Sequence, residues 1–469
     1  MKNFKIKTFA LVLTTVFMFS ACDSWIDTDL NNDPNVPTVV PKSLILPSIH
    51  AQMGYSLGGN DAVLATNIWM QYMNGHSRQA YTIGHYQYTP SDCNNFWNAV
   101  YAGALKDAVL LKQISRAEGA YAALAPNGHY EGVANIQIAV SLGITSDLWG
   151  DIPYTEAFKG EEGNYNAKFD TQENIYKTIQ TLLDEAIVLL GKPAPVGEPV
   201  TGDMVYGGNV AQWIKAAYGL KARYTLNLSK VNGNAAYTEA LSYISKAMAS
   251  NADNYSIPFG ATDRAANPLF QFNLERGDAN MCSTYLTMLN NASDPRVGFV
   301  ATAVGGNYVG GAPGSSTTDG VSAAGAFVAG KSTAVVLMSY TELKFIEAEA
   351  QFRLGTDLAA ALAAYKAAVA ASVLQQTGAA NTAWLDANIN IETTATLTLE
   401  KIMTQKYLAN VATVQSYNDW RRTGIPTLAL AVDAIGQIPR RFPYAQEEIT
   451  YNANTPKGLT TASKNWWDK

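Results

Sequence analysis

Residues 340–369 read YTELKFIEAEAQFRLGTDLAAALAAYKAAV, and this stretch decides the fold class. Apolar side chains recur in its first half at steps of three and four residues, at Leu343, Ile346, Ala350 and Leu354. A second stripe of the same spacing follows Gly355, at Leu358, Leu362, Tyr365 and Val369. This period is that of one face of an α-helix, and glycine commonly ends such a helix. The stretch therefore predicts two antiparallel helices joined by a short turn.

Such a hairpin, with Tyr and Ala side chains facing one another, resembles a tetratricopeptide repeat. Further stripes of helical spacing lie upstream, beginning at Trp97, Ile175, Trp213 and Tyr237. The sequence therefore predicts a mostly α protein in which tetratricopeptide-like helical hairpins form a scaffold. A generic array of helical hairpins is the alternative, because the repeats are not contiguous.

Two regions between the helical stripes have a different composition. Residues 251–335 are rich in Gly, Asn, Ser and Asp, and Gly54–Pro90 is rich in aromatic residues. A structureless segment as long as the first region is usually functional or mobile when it lies inside a compact protein. We therefore expect long irregular loops that face a ligand.

The composition of the 469-residue chain excludes several classes of protein. Charged residues make up 15% and hydrophobic residues 48%, which is too apolar for intrinsic disorder. The 33 Lys and Arg residues are outnumbered by 39 Asp and Glu residues and form no basic run, so nucleic acid is not expected as a partner. Three Cys and four His residues exclude a disulfide scaffold and a protein with several zinc sites. The 25 Tyr and 9 Trp residues indicate either a sticky surface or a Tyr-rich core.

The N-terminus has the features of an export signal. Lysines at the start precede an uncharged segment, Thr8–Ala21, whose centre is apolar. Small residues directly before Cys22 resemble the lipobox of bacterial lipoproteins, which predicts lipid attachment to this cysteine. Ordinary signal-peptide cleavage is the alternative, since Phe19 stands where Leu is more usual.

These features divide the chain into three parts. Residues 1–21 are the predicted signal peptide, and residues 22–47 are the lipidated cysteine with a Pro- and Asn-rich tether. Residues 48–469 are predicted to form a single helical domain, with a loop-rich insertion at about 251–335.

Six short motifs follow one another along the chain. They are DLNNDPNVP at Asp29–Pro37, DLWGDIPYTE at Asp147–Glu156, DPR at Asp294–Arg296, YTELKFIEAEA at Tyr340–Ala350, WRRTGIP at Trp420–Pro426 and IPRRFPY at Ile438–Tyr444. Together they resemble the SusD/RagB family of outer-membrane nutrient-binding lipoproteins, specifically its SusD-like branch. The resemblance extends over nearly the whole chain after the signal peptide.

Membership of this family implies a function that composition alone does not. Such proteins are lipid-anchored at the outer membrane and face the cell exterior. They cap a SusC-type TonB-dependent transporter and capture an oligosaccharide or an oligopeptide for import. They are not enzymes, and no cofactor is expected. Acidic residues after Cys22 also resemble the surface-export signal of Bacteroidetes lipoproteins.

Paired charges in two of the motifs are interpreted as part of the scaffold. Glu347 and Glu349 lie on one predicted helix, and Arg421 and Arg422 form a pair in another motif. Bidentate ion pairs between the two would lock the repeats together. Direct contact with a ligand is the alternative.

Other kinds of chemistry are weakly supported. Residues 325–332, GAFVAGKS, match a nucleotide-binding loop letter by letter, but no buried strand precedes them, and Val335–Met338 is better predicted as extended chain. The histidines lack metal-ligand spacing, although a structural Ca²⁺ held by scattered Asp and Asn is left open.

A secreted hydrolase acting on glycans is the main alternative function, and a structural surface adhesin is another. The spacing of Cys93 and Cys282 leaves open whether they pair or remain free thiols.

Aromatic and polar residues of the loop regions form the candidate ligand-binding site. Tyr and Trp rings present flat apolar faces to a pyranose, while Asn, Asp and Arg bind its hydroxyls. A peptide would use the same chemistry, so the nutrient is not identified. The candidates are Trp69, Tyr72, Arg78, Tyr81 and Tyr285, with Arg276 and Tyr308 further out. The alternative for Trp69 and Tyr72 is a helix over Ala65–Met73 that packs both rings inward.

Overall fold

Helices account for most of the residues that the computed structural model describes, which are residues 40–193, 195 and 198–469. The first ten, in chain order, are α1 (Lys42–Gln52), α2 (Asn60–Trp69), α3 (Arg78–Gly84), α4 (Asn94–Asn98), α5 (Leu105–Arg116), α6 (Gly128–Trp149), α7 (Gln172–Leu190), α8 (Val210–Asn227), α9 (Ser229–Asn232) and α10 (Asn234–Ile244). The others are α11 (Pro268–Glu275), α12 (Ser283–Asn291), α13 (Val297–Val300), α14 (Ala326–Ala329), α15 (Tyr340–Leu354), α16 (Leu358–Thr377), α17 (Thr382–Asn388), α18 (Leu399–Ala409), α19 (Gln415–Thr423) and α20 (Gln446–Tyr451). The predicted signal peptide and Cys22 lie outside the described residues.

The long helices pack against one another in series, as hairpins do in a tetratricopeptide-like scaffold. Helix α6 packs between α5 and α7, α7 packs on α8, and α10 bridges α8 and α15. Helices α15 and α16 form the hairpin that residues 340–369 predict, with Gly355 in the left-handed conformation (φ +69°) at the turn. The predicted mostly α class is confirmed.

Strands are short and join distant parts of the chain. Strand β1 (Met73–Gly75) pairs antiparallel with β3 (Ala279–Met281), and β2 (Tyr255–Ile257) pairs antiparallel with β4 (Val335–Met338). The predicted extended conformation of residues 335–338 is therefore confirmed. Residues 251–335, by contrast, are not a structureless insertion, because short helices and the strands β2 and β3 order them.

The predicted tether also needs a correction. Helix α1 begins at Lys42, so residues 42–47 are helical rather than extended. Pro47 lies inside this helix, where it cannot donate a hydrogen bond to the carbonyl group of Ser43. That carbonyl oxygen lies closely against Gly202 instead, at a position where a side chain on residue 202 would clash.

One helix of the described residues, α16, is long and apolar enough to cross a membrane by length and composition alone. Its Ala and Val side chains pack in a core cluster with Phe345 of α15 and with Ile402 and Met403 of α18. This packing accounts for its apolar composition.

Four buried charged side chains link α15, α18 and α19. Glu349 of α15 accepts hydrogen bonds from both terminal nitrogens of Arg422 in α19, with 2.6 Å between Nη2 and Oε2. Arg422 also donates to Asp419 (2.9 Å), which accepts a further hydrogen bond from Lys406 of α18 (2.9 Å). Burial alone would raise the pKa of Asp419, but the charges of Lys406 and Arg422 outweigh burial and lower this pKa. The predicted ion-pair lock is thus confirmed for Glu349 and Arg422.

Arg421 and Glu347, the other two charged residues of the predicted ion-pair lock, have different roles. Arg421 donates to Asn418 (2.6 Å), and its guanidinium lies 4.1 Å from the ring centre of Tyr417 and 4.5 Å from that of Trp467. Glu347 pairs with Lys344 at the partly exposed surface of α15. Arg421 therefore stacks on aromatic rings, and Glu347 adds little to the core.

The DLWGDIPYTE motif is a packing element. The carboxylate of Asp147 accepts hydrogen bonds from Asn418 (2.7 Å), the indole of Trp467 (3.1 Å) and the hydroxyl of Tyr176. Burial raises the pKa of Asp147 to about 6, despite these donors. Gly150 follows with a φ of +83°, a conformation that favours glycine. The motif thus ties α6 to α7, α19 and the C-terminal segment.

We expect Glu349→Gln to lower the free energy of unfolding by about 3–5 kcal/mol, because Arg422 and Lys406 would keep buried positive charge without its counter-charge. Glu347→Gln on the same helix is the matched control and should cost less than about 1 kcal/mol, since its ion pair is partly exposed. Urea unfolding followed by circular dichroism measures both. Equal losses for the two variants would contradict a dominant role for the buried cluster.

Candidate functional site

Strands β1 and β3 bring two loop regions together. Their register aligns Met73 with Met281 and Gly75 with Ala279. The residues that follow β1 therefore lie beside the residues that precede β3. This pairing places the predicted site residues Arg78 and Arg276 together.

Asp278 is the centre of this arrangement. Its side chain is fully buried and accepts hydrogen bonds from Nε of Arg78 (2.6 Å), Nε of Arg276 (3.0 Å) and the hydroxyl of Ser77 (3.2 Å). Arg78 also donates to the backbone carbonyl of Arg276. Burial by itself would raise the pKa of Asp278, but the hydrogen bonds from Arg78, Arg276 and Ser77 outweigh it and lower this pKa. Asp278 therefore stays ionised and fixes both guanidinium groups at the surface.

We call Asp278, with Ser77, Arg78 and Arg276 that bind it, the Asp278 clamp. Both arginines retain N–H donors that do not bind Asp278. Their side chains are 58% (Arg78) and 43% (Arg276) exposed. Within the described residues, Nε is the only atom of the Arg276 guanidinium that donates a hydrogen bond. Hydroxyl or carbonyl oxygens of a ligand can occupy the remaining donor positions.

The backbone around Arg78 is strained. Arg78 has a φ of +48°, and Gln71 and Tyr86 have φ values of +59° and +65°. Left-handed backbone costs an ordinary residue about 1 kcal/mol or more and persists only where surrounding contacts hold it. For Arg78 these contacts are the hydrogen bonds to Asp278. Strain of this kind concentrates at binding sites, which supports a role for this segment.

Tyr81 provides the exposed aromatic face of the site. It lies on α3, three residues after Arg78. Its ring is 37% exposed and packs on His85, with 4.0 Å between ring centres. Nδ1 of His85 hydrogen-bonds to the backbone of Tyr81 (2.7 Å), while Nε2 is buried and has no partner among the described residues.

A segment from near the C-terminus borders this face. The backbone amide of Ile435 donates to the carbonyl of His85 (3.1 Å), and that of Ala431 donates to the hydroxyl of Tyr86 (3.0 Å). This segment exposes three aliphatic side chains, those of Leu430, Val432 and Ile435. We call these three residues the aliphatic edge.

The structure corrects the expectation that Trp69, Tyr72 and Tyr285 face a ligand, because all three are fully buried. Trp69 ends α2, and its indole donates to the carbonyl of Ile83 (3.1 Å). Tyr72 stacks on Tyr407, with 4.3 Å between ring centres. The inward-packing alternative describes Trp69 and Tyr72, although α2 ends at residue 69 and does not extend to Met73.

Tyr308 is half-buried on a separate turn, where its carbonyl accepts a hydrogen bond from Asn290 (2.8 Å). It is not among the groups that surround Asp278. Asp278, Ser77 and His85 were missed because sequence alone does not show that β1 and β3 pair. A carboxylate two residues after Arg276 was the available signal.

The weaker chemical candidates have structural explanations. Residues 326–329 form a helix of one turn, and Lys331 pairs with Asp263 at the surface (2.7 Å) rather than opening a phosphate-binding helix. Cys93 and Cys282 are both buried free thiols. Across residues 40–193, 195 and 198–469, no group of three His, Cys, Asp or Glu side chains is placed to hold a metal ion.

Comparison with known proteins gives a family match. A sequence profile of SusD-like proteins, described as starch-binding and associating with the outer membrane, matches residues 34–445. No curated protein matches the chain in sequence. The resemblance that the six motifs indicate is therefore confirmed.

Solved structures share the fold over almost the whole chain. A SusD/RagB family protein from Bacteroides thetaiotaomicron is 26% identical, with a TM-score of 0.77, and the match covers 92% of this chain and 99% of that one. A SusD homologue from Bacteroides uniformis is 22% identical, with a TM-score of 0.74, over 91% of this chain and 99% of that one. A chitin-binding SusD homologue from Flavobacterium johnsoniae is 21% identical, with a TM-score of 0.72, and the match covers 90% of this chain and 99% of that one.

The burial of Trp69 predicts a large effect on stability. We expect Trp69→Ala to lower the free energy of unfolding by about 3–5 kcal/mol, because the ring packs against Tyr88, Tyr417 and Phe442 in the core. Tyr81→Ala, which removes an exposed ring, should cost about 1 kcal/mol or less. Chemical denaturation measures both. A Trp69→Ala variant as stable as the wild type would show that the ring is not part of the core.

Proposed function

We propose that this chain, which belongs to the SusD-like family of starch-binding proteins that associate with the outer membrane, binds an oligosaccharide at the cell surface and delivers it to a transporter. The transporter would be a SusC-type TonB-dependent barrel, which the chain caps. Lipid attachment at Cys22 would hold the protein at the membrane, facing the exterior. Family membership supports each of these steps.

The clamp around Asp278 carries the ligand-binding part of this proposal. It fixes two guanidinium groups at the surface, and the exposed ring of Tyr81 lies three residues after Arg78 on α3. An aromatic ring accepts the apolar face of a pyranose, and guanidinium groups donate to its hydroxyl and ring oxygens. Because the groups are held by buried contacts, little conformational entropy is lost on binding.

A glycan is favoured over an oligopeptide by what related proteins bind. The family is described as starch-binding, and the homologue from Flavobacterium johnsoniae is described as chitin-binding. Starch and chitin are built from uncharged pyranose units, which suit this combination of one ring and several hydrogen-bond donors. An oligopeptide is the competing ligand that the binding experiment must test.

The same site argues against the hydrolase alternative. Glycoside hydrolysis generally needs a pair of carboxyl groups, one of which must carry a proton near neutral pH. Asp278 is the carboxylate at the centre of this site, it is buried, and its lowered pKa keeps it ionised. The hydrogen bonds from Arg78, Arg276 and Ser77 favour its ionised form, which makes Asp278 poorly suited to donate a proton as a general acid. We therefore propose a binding protein and not an enzyme.

The aliphatic edge supports contact with a partner protein. Leu430, Val432 and Ile435 are each more than half exposed, although they lie within six residues of one another. Clustered exposed aliphatic side chains typically mark a protein interface. Their position beside Tyr81 and His85 would place the partner next to the ligand, as delivery to a transporter requires. An adhesin would lack this specific partner.

We expect the wild-type protein to bind maltohexaose or chitohexaose in isothermal titration calorimetry, and Tyr81→Ala to weaken that binding about tenfold, because the exposed ring is lost. The matched control is Tyr165→Ala, which removes a 77% exposed ring at another position and should bind like the wild type. Binding of penta-alanine without binding of either glycan would reject the oligosaccharide proposal in favour of a peptide ligand.

We expect the tagged full-length protein to co-purify with a large TonB-dependent barrel from detergent-solubilised outer membranes of its host. Changing Leu430, Val432 and Ile435 together to Ser should reduce the recovered barrel at least about fivefold, because the aliphatic edge would no longer bury apolar surface. Val188→Ser is the control, since Val188 is equally exposed (60%) on α7. Recovery of no barrel with the wild-type protein would contradict the capping role.

A further inference from the structure

A cavity that none of Ser77, Arg78, Arg276 and Asp278 lines has no assigned role. Its volume is about 480 Å³, which is in the range of small-molecule binding sites. The end of α1, the short π-helical segment Met53–Leu57, the loop Ile257–Ala266 and helix α11 enclose it. The cavity is open to solvent on one side, where Tyr55 and Arg264 are exposed.

Two aromatic side chains, Tyr55 and Phe259, line the cavity. Tyr55 is 44% exposed, and Phe259 is half-buried. Most aromatic side chains of the core pack on another ring, but among the described residues neither Tyr55 nor Phe259 does so. A ligand can therefore contact these rings without breaking an aromatic stack.

The wall that carries Phe259 is preformed. Gly54 lies against this ring, since a Cβ atom on residue 54 would be 3.1 Å from Cζ of Phe259. The loop that follows closes through a hydrogen bond from the amide of Gly260 to the carbonyl of Ala265 (2.6 Å). Gln271 of α11 then donates to the carbonyl of Ala266 (2.7 Å). These contacts hold the cavity open without a ligand.

The charges around the cavity favour an uncharged ligand. Arg264 supplies one positive charge at the rim and has no ion-pair partner among the described residues. Burial raises the pKa of Tyr55, and the nearby negative charges of Asp61 and Glu275 raise it further. The surroundings of the cavity therefore carry charges of both signs, so neither an anion nor a cation is attracted by all of them. Neutral hydroxyl groups can bind to Arg264, to Gln271 and to the hydroxyl of Tyr55.

The cavity is also connected to the Asp278 clamp through one helix. Gln271 lines the cavity, and Arg276 of the clamp directly follows α11. Five residues correspond to about 7.5 Å along a helix axis. Glu275, the last residue of α11, is close enough to influence Tyr55 on the cavity side.

We propose that this cavity is a second carbohydrate subsite, which takes pyranose units of the same oligosaccharide that the Asp278 clamp holds. The inference rests on the proposed glycan-binding function and adds a preference for longer glycans. Tyr55 and Phe259 contact the sugar faces, while Arg264 and Gln271 bind hydroxyls. A disaccharide fills the clamp alone, and a hexasaccharide reaches both places.

The test blocks the cavity without removing core contacts. Ala51 is exposed on α1 and lines the cavity, so Ala51→Trp fills it from the solvent side. We expect Ala51→Trp and Tyr55→Ala each to weaken binding of maltohexaose or chitohexaose about tenfold in calorimetry. Binding of the corresponding disaccharide, maltose or chitobiose, should stay at the wild-type value. Tyr451→Ala, which removes a 78% exposed ring elsewhere, is the control and should change neither.

The outcomes separate this inference from the proposed function. If Tyr81→Ala weakens hexasaccharide binding while Ala51→Trp and Tyr55→Ala do not, the subsite is rejected and glycan binding stands. If both cavity variants weaken disaccharide and hexasaccharide equally, the assignment of the cavity to the longer glycan is overturned. If the wild type binds neither glycan, both proposals fail. Melting temperatures near that of the wild type confirm that each variant is folded.

Discussion

The fold depends on a closed set of four buried charges contributed by three helices. Glu349, Arg422, Asp419 and Lys406 carry two positive and two negative charges, so the cluster is neutral although each member is removed from water. A single unpaired charge in this position would cost several kcal/mol. Helices α15, α18 and α19 must therefore meet in one arrangement. A second buried bidentate pair, Arg223 with Glu342, fixes α8 to α15 by the same rule.

Helix α18 connects this charge cluster to the candidate site. The hydroxyl of Tyr72 donates to the carbonyl of Tyr407 (2.6 Å), and that of Tyr285 donates to the carbonyl of Leu408 (3.1 Å). Tyr72 directly precedes β1 and Tyr285 follows β3, so both strands are anchored on one helix at the end where Met73 pairs with Met281. The strand pair in turn places Asp278 between its two arginines. The buried tyrosines are thus the support of the binding surface and not the surface itself.

Helices with one apolar face can be predicted from the spacing of apolar residues in the sequence. Helices that are apolar on every face cannot be predicted in this way. The stripe that begins at Ile175 identifies α7 correctly, because solvent on one side of this helix leaves a period in the sequence. Helix α6 is buried along almost its whole length, so it shows no such period and was not predicted. The same limit applies to Trp69, since an aromatic residue in a Gly-rich region suits both a core and a ligand site. Only the pairing of β1 with β3, which joins residues about 200 positions apart, identifies Asp278 as the centre of the site.

The properties of that centre follow from the balance between burial and hydrogen bonding. Asp278 is removed from water, yet two guanidinium groups and a hydroxyl keep it ionised, so one carboxylate orients two cations. Each guanidinium is exposed on its outer side and retains donors for a ligand. The strained backbone of Arg78 is held by the same contacts, which means that the surface is fixed before a ligand arrives. Under the proposed function, such a prearranged surface would bind an uncharged glycan through hydrogen bonds to its hydroxyl groups and not through net charge.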